Sequence, residues 1–311
     1  MTSWYIKASS AWKQVNQAFV KSSSAWKEIQ EGYIKVGGAW KSFYVAFVAT
    51  GFTTQTSSGT VTVPDGANAI HVQAAVGCGS GGVKGADYDK AGGESAGAGG
   101  ASGGYVSDEV YTVSEGETLT LTIGAAGTAS TGSAYNTTAG NGGNTVLSGS
   151  TTGAIFTLAG GTGGSGVNGG VQGPLRTNNA SVGGSATINA TPLTSGSFRE
   201  SDGTSVTFNT ATTLDQGPVG TFNQSGNGTA GTNPGNCSGD NCVIDGGAGA
   251  SSYSGGISGG TAGDTSAGSG GGSGSRGSGG GGGGAQVPGG FSTAGGTGGA
   301  GEIRYRFLRV N

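Results

Sequence analysis

Beyond Phe52 this chain is punctuated by glycine so densely that most ordinary folds are closed to it. Glycine supplies 73 of 311 residues, nearly all of them after that position, while four tryptophans lie within the first 40. Glycine has no side chain to bury and loses the most conformational freedom on ordering. A folded body must therefore recover that cost by means other than a conventional apolar core. The segregation predicts two different devices joined end to end: a short aromatic head and a long, polar, glycine-dominated body.

Charged residues make up only 10% of the chain, and 33% is hydrophobic, much of it alanine. Low charge separates it from typical disordered chains, and strand-like patches separate it from monotonous Gly/Ser linkers. Residues 1–50 hold six lysines against Glu28 and Glu31, whereas residues 51–311 hold eight Lys/Arg against fifteen Asp/Glu. A weakly acidic body lacks the basic face a nucleic-acid partner requires, but glycan and protein partners stay open.

The head is a repeat. Tyr5-Ile6-Lys7, Phe19-Val20-Lys21 and Tyr33-Ile34-Lys35 recur at a spacing of 14, as do Trp12, Trp26 and Trp40, each within Ala-Trp-Lys. Phe47-Val48 opens a truncated fourth copy. Fourteen is also two heptads, but the aromatic and β-branched content favours strands over a coiled coil. Each unit reads as a hairpin with its turn at Ala8-Ser9-Ser10, Ser22-Ser23-Ser24 or Val36-Gly37-Gly38. Isolated hairpins bury little, so the head is expected to dock or oligomerise through Trp4, Tyr5, Trp12, Phe19, Trp26, Tyr33 and Trp40.

In the body, period-two alternation predicts half-buried strands, arranged as a sandwich. Val61 and Val63 share a face. Ile70, Val72, Ala74 and Val76 share another, leaving His71 and Gln73 outside in solvent. Leu119, Leu121 and Ile123 alternate with threonines, and Ile303, Tyr305 and Phe307 oppose Glu302, Arg304 and Arg306. Tyr105–Val113, Thr145–Leu147 and Ile155–Leu158 read as further strands, and the final strand is expected to pair back with early ones. Between them lie glycine segments at 77–104, 124–143, 160–173 and 246–301. Extended left-handed helices with three residues per turn can pack side by side where glycine removes side chains. The expected fold is thus all-β: aromatic β-hairpin repeats over 1–50, then over 51–311 a β-sandwich framing a bundle of polyglycine II helices. Residues 174–245 are thinner in glycine and are expected to form an elaborated surface loop. Such loops on rigid scaffolds carry recognition, and the aromatic and arginine side chains of this and the other body loops, Tyr88, Tyr135, Arg176, Phe198, Arg199, Phe208, Phe222 and Tyr253, are the contact candidates. Each could instead pin its own loop.

Little points to catalysis. Gly77, Gly79 and Gly82 spell GxGxxG, but the motif counts only within a βαβ unit. A Ser-His-Asp triad would need His71, the sole histidine. Glu200, Asp202, Asp215, Asp240 and Asp245 could supply a carboxylate pair for glycan cleavage, but nothing sets their separation. No enzyme activity, cofactor or metal is expected. Cys237 and Cys242 bracket NCSGDNC and are either ordinary thiols or a loop-tip disulfide, while Cys78 stands alone. The opening MTSWYIKASS has no charged leader before an apolar run, and no window reaches membrane-spanning length.

The series GTVTVPDG, AIHVQAAVGCGSGG, GGYVSDEVYTVSEGETLTLTIGAAG, AGNGGNTVL, IFTLAGGTGG and GGTGGAGEIRYRF resembles the glycine-rich adhesin domains of bacteriophage tail fibres and tail-tip proteins. The YIKxxxAWK repeats are similar to those preceding such domains. The resemblance implies a virion protein, made in the host cytoplasm and sited at a tail or fibre tip. Its partners would be other tail proteins and a bacterial surface receptor, glycan or outer-membrane protein. A homotrimer or a cap on a trimeric fibre is implied as well. Residues 174–245 match no motif of that pattern. A purely structural tail-tip protein is the alternative; an ice-binding protein or a polysaccharide-cleaving tail enzyme fits less well.

Overall fold

The computed structural model describes residues 5–8, 11–14, 18–22, 24–29, 31–45, 47–83, 97–130, 138–164, 181–209, 242–244, 248–250, 271–274, 276–281, 285–287 and 291–311. Among these, every regular element is a β-strand. The head contributes β1 (Tyr5–Ala8), β2 (Ala11–Gln14), β3 (Phe19–Ser22), β4 (Ala25–Glu28), β5 (Glu31–Val36) and β6 (Ala39–Val45). The body continues with β7 (Thr53–Gln55), β8 (Gly59–Thr62), β9 (Ala69–Val76), β10 (Tyr105–Thr112), β11 (Thr118–Thr122), β12 (Thr145–Gly149) and β13 (Gly153–Leu158). It ends with β14 (Ala186–Ile188), β15 (Ser195–Arg199), β16 (Ser205–Asn209), β17 (Cys242–Ile244), β18 (Ala285–Val287), β19 (Phe291–Ser292) and β20 (Glu302–Leu308).

The head forms three separate two-stranded hairpins, β1-β2, β3-β4 and β5-β6. Their registers repeat: Lys7 pairs with Trp12, Lys21 with Trp26 and Lys35 with Trp40. Gly37 and Gly38 have φ of 61° and 86°, the left-handed pair that a two-residue hairpin turn requires. The Lys35 ammonium stands 6.0 Å from the Trp40 ring. Trp26 and Trp40 remain 68% and 69% exposed, with Phe19, Val20, Tyr33, Ile34 and Val36 also open.

The body is a sandwich of two antiparallel sheets, in the orders β10-β9-β20-β7 and β14-β13-β12-β11-β8. Between them lies a continuous apolar core that includes Val63, Ile70, Val72, Leu119, Leu121, Leu147, Phe156, Leu158, Ile303, Tyr305 and Phe307. The expected faces of β8, β11 and β20 hold, and β20 pairs back onto both β9 and β7. Threonines 118, 120 and 122 point to solvent. At β12-β13 the register shifts and leaves Ile155 without an opposite residue, so Ile155 and Phe156 both enter the core.

Strand β9 departs from simple alternation. Its pairing with β20 shifts at Gln73, and a bulge of this kind reverses the faces beyond it. Ala75, not Ala74, therefore joins Ile70 and Val72 in the main core. His71 and Gln73 are not solvated either: they are 0% and 5% exposed, and Glu302 and Arg306 are buried with them. Glu302 is covered by Arg276; over Arg306 and His71 the reason is a third layer. The β15-β16 hairpin lies over the outer face of the first sheet, where Phe198 and Phe208 pack with Ala49, Ala69, Val110 and Leu308.

One end of the sandwich continues into glycine. β9, β11 and β13 run out into it, while β10, β12, β14 and β20 emerge from it. The segment 77–83 shows how it is built. Gly77, Ser80 and Val83 donate their N–H groups to the carbonyls of Gly104, Ala101 and Ala98 at 2.7, 2.9 and 2.9 Å. Cys78 and Gly81 donate to Gly143 and Gly140, and Gly79 and Gly82 donate to Gly299 and Gly296. Each donor direction returns to the same neighbouring segment every third residue. The carbonyls of Cys78, Gly79, Ser80 and Gly82 accept in turn from Gly161, Gly127, Gly280 and Ser130. A chain donating to three neighbours and accepting from three others is enclosed by backbone on all sides. The same three-residue step links 139–142 with 161–164, 100–103 with 277–280 and 271–274 with 294–297.

Two polar side chains enter this lattice by taking the place of a backbone partner. The Ser80 hydroxyl accepts from the Ala101 N–H at 2.7 Å and donates to the Thr162 carbonyl at 2.8 Å. The Cys78 thiol donates to the Gly124 carbonyl at 2.9 Å and accepts from the Gly301 N–H at 3.1 Å. Burial raises the pKa of this thiol above its ordinary value.

At the opposite end of the sandwich the turns are joined by Glu117. Its carboxylate accepts from the N–H groups of Ser114, Thr151 and Thr152 and from the Thr152 hydroxyl at 2.6 Å. Burial acts to raise its pKa, but these bonds, led by the Thr152 hydroxyl, bring the net value below the usual one. A depressed folded-state pKa means the stabilisation is complete above the unfolded value and is lost as pH falls through the folded one. Glu117→Gln is expected to cost about 1–3 kcal/mol at neutral pH. Urea unfolding should show the difference from wild type shrinking on acidification below the ordinary carboxylate range.

Candidate functional site at the loop-bearing end

The chain's topology gives the body two unlike poles. Phe47, leading in from the head, packs beside Gly66, in the β8-β9 turn at the end of the sandwich remote from the glycine lattice. At the far end of the lattice, chain segments converge. Val83 bonds to Ala98, Gly164 approaches both of them, and Ala139 bonds to Gly164. The connections 84–96, 131–137 and 165–180 all leave from this end. Two other segments of the lattice, 271–274 and 276–281, meet at a turn that includes Arg276 and Gly277, whose φ values are 40° and 77°. Arg276 reaches the sandwich there, 3.3 Å from Glu302. Burial pushes the Glu302 pKa up, against the pull of Arg276 and Arg304. Strands β17, β18 and β19 form a small three-stranded sheet reached from the segments 281 and 294 on the loop side.

The receptor-contact candidates divide on this map. Tyr88, Tyr135, Arg176, Phe222 and Tyr253 lie outside the described residues; the first three belong to the connections that leave the lattice's far end. Phe198 and Phe208 are corrected: at 1% and 3% exposure they are core residues, with ring centroids 6.3 Å apart. Arg199 donates to the Gly203 carbonyl at 3.0 Å and closes its own hairpin turn. The expectation that 174–245 is one surface loop is likewise revised. Residues 181–185 belong to the glycine lattice, through Gly184 N–H to Ser102 and Ala159 N–H to Ser185. Residues 186–188 extend the second sheet, and 195–209 form the third layer.

Of the head residues, Phe19, Trp26, Tyr33 and Trp40 are exposed. Tyr5 and Trp12 sit on paired strands, and Trp4 lies outside the described residues. Of the carboxylates, Asp202 accepts from the N–H and hydroxyl of Thr204, which lower its pKa, and Glu200 binds Arg306. Asp215, Asp240 and Asp245, with Cys237, lie outside the described residues. Among the described residues no group of His, Cys, Asp and Glu is arranged to hold a metal ion.

Sequence patterning missed a buried polar chain across the third layer. The Arg306 Nε–H donates to His71 Nδ1 at 3.1 Å. Nδ1 therefore carries no proton, and the Nε2–H faces Asp108 Oδ1 at 2.8 Å. Asp108 adopts φ of 55° within β10, a conformation tolerated by aspartate. Arg306 Nη1 binds both oxygens of Glu200 at 2.9 Å. The guanidinium lies between Phe52 and Phe198, 4.5 and 5.1 Å from their rings, a cation–π sandwich. Three strands and a turn supply the polar groups alone, His71, Asp108, Arg306 and Glu200, so no local spacing could have revealed them. The arrangement locks the β15-β16 hairpin to the sheet.

An all-β body in which interlocked backbone replaces much of the side-chain core defines a glycine-rich structural class. The chain belongs to the glycine-rich domain family, whose model matches residues 53–308. No curated relative matches it.

Proposed function

We propose that this protein is a phage virion adhesin, joined to the tail or fibre by its aromatic hairpins and binding a bacterial surface receptor with the loops at the lattice's far end. The observation that carries the reading is polarity. The head enters at one pole of the body, and the long connections leave from the other. The lattice between them is interpreted as a bundle of polyglycine II helices, since donors that recur every third residue suit three residues per turn. Such a bundle is stiff enough to present loops in fixed positions. The exposed tryptophans of the head suit a protein partner, because large apolar patches on soluble chains mark interfaces. The resemblance of the repeats and of the strand–glycine series to phage tail adhesins supplies the biological setting. The reading is of binding, not catalysis.

The test uses the full chain. Replacing residues 84–96, 131–137 and 165–180 by short Gly/Ser connections is expected to abolish saturable binding to bacterial cells while leaving the thermal midpoint of the body intact. Removing residues 1–46 should leave cell binding and prevent incorporation into particles. Cell binding that survives the loop replacements would remove the far end as the receptor surface.

A further inference from the structure

Residues 47–55 lead from the head into the body, and the fold grips them along most of that length. Phe47 packs against the main core. Ala49 is buried with the third layer, its N–H donating to the Arg199 carbonyl at 2.6 Å. Thr50 is bonded twice to Phe307: its N–H donates to the Phe307 carbonyl at 3.0 Å, and its hydroxyl accepts from the Phe307 N–H at 2.9 Å. The Phe52 ring carries the guanidinium groups of Arg304 and Arg306 at 5.2 and 4.5 Å and meets His71 edge-on at 5.5 Å. Thr53, Thr54 and Gln55 then form β7, paired antiparallel with Tyr305, Arg304 and Ile303. Arg304 Nη1 also donates to the Thr54 hydroxyl at 3.3 Å. An edge strand of three residues has few ladder bonds of its own, and these further contacts lengthen its hold on β20.

The direction of the run decides what this hold resists. β20 leaves the glycine lattice at Glu302 and ends at Leu308, beside Ala69 at the opposite pole. Antiparallel pairing sets Thr50 at the Phe307 end of β20 and Gln55 near its lattice end. Tension drawing Phe47 and the lattice apart therefore runs along both strands in opposite senses. Ladder hydrogen bonds lie perpendicular to the strands, so this tension slides one strand past the other and strains the bonds of 49–55 together. Val310 and Asn311 are held at the same pole as Phe47, the first by Asn68 at 2.8 Å and the second by the Ser197 carbonyl at 3.0 Å. Tension between Phe47 and Asn311 instead peels the same strands from one end, bond after bond.

We propose that residues 48–55 are a strap that carries tension between head and body in shear, clamped by the β15-β16 hairpin through Arg199 and Arg306. The source of the tension rests on the adhesin reading; the geometry of the strap does not.

The experiment is single-molecule pulling on the full chain, with handles coupled to azide-bearing residues at exposed positions. One pair of handles joins Val48 and Thr297, the other Val48 and Asn311. Thr297 lies on the lattice segment that leads into β20. At one loading rate the first pair should rupture at a force at least about twice that of the second, because bonds perpendicular to the pull share it when strained together. Phe52→Ala should lower the first force and leave the second unchanged. Thr54→Val, which removes the Arg304 acceptor at an exposed position, should act in the same direction, and it carries the variant test should Phe52→Ala not fold. Equal forces in the two geometries overturn the proposal. So does a Val48–Thr297 force unchanged in every folded variant of the two. The pulling involves no receptor, so a failure of cell binding leaves the strap standing, and equal forces leave the adhesin reading in place.

Discussion

Gly79→Ala is expected to destroy the glycine lattice. A methyl group there would lie 1.8 Å from the Ser278 carbonyl oxygen and 2.3 Å from its carbon. Both belong to backbone that is itself bonded to the next segment, through the Gly299 N–H to the Ser278 carbonyl. Neither can rotate away as a side-chain tip would. The segments must separate, and the bonds of 77–83 to its neighbours are lost together. Single substitutions costing more than about 4 kcal/mol are exceptional; this one should belong among them. Gly51→Ala is the control, since nothing lies within 4 Å of the added carbon and its φ is not left-handed. Thermal unfolding and amide exchange over 77–83 and 98–104 read the result. A Gly79→Ala protein that melts and exchanges like wild type would show that these segments are not packed as described.

Arg306→Ala should be the most damaging change outside the lattice. It strands the Glu200 carboxylate, removes the donor to His71 Nδ1 and empties the space between Phe52 and Phe198. Deleting one partner of a fully buried ion pair costs about 3–5 kcal/mol; Glu200 is 26% exposed, so the loss should fall toward the lower end of that range. The damage should be local in its first effect: amide exchange in β15 and β16 is expected to rise well before that of β11 and β12. Arg306→Met restores much of the volume and should recover part of the loss. A double-mutant cycle with Glu200→Gln isolates the ion pair. A loss below about 1 kcal/mol for Arg306→Ala would mean that the hairpin is held by Phe198 and Phe208 alone.

Both effects trace to the same structural economy. Only one end of the body has an ordinary apolar core, and the other end depends on backbone bonds. At the lattice end there is no slack to absorb a carbon atom. At the sandwich end a second cluster and a charged chain cover the face of the first sheet that period-two patterning assigns to water.

The head hairpins were legible from a spacing of 14 and the turn at Gly37-Gly38 from its glycine pair, because each hairpin closes on residues a few positions apart. The faces of β8, β11 and β20 were legible for a similar reason: alternation on one strand needs no knowledge of its partners. The all-β class and the need for glycine segments to bond to one another also follow from composition, since glycine offers little but its backbone. Burial of His71, Gln73, Phe198, Phe208 and Arg306 was not legible. It depends on a hairpin from residues 195–209 returning over a strand more than a hundred residues earlier, and on a bulge at Gln73 whose cause lies in the register with β20. Local chemistry, then, was written along the chain, whereas what each side chain faces was decided only when distant segments met. A sequence specifies its own period but not which foreign surface will cover it.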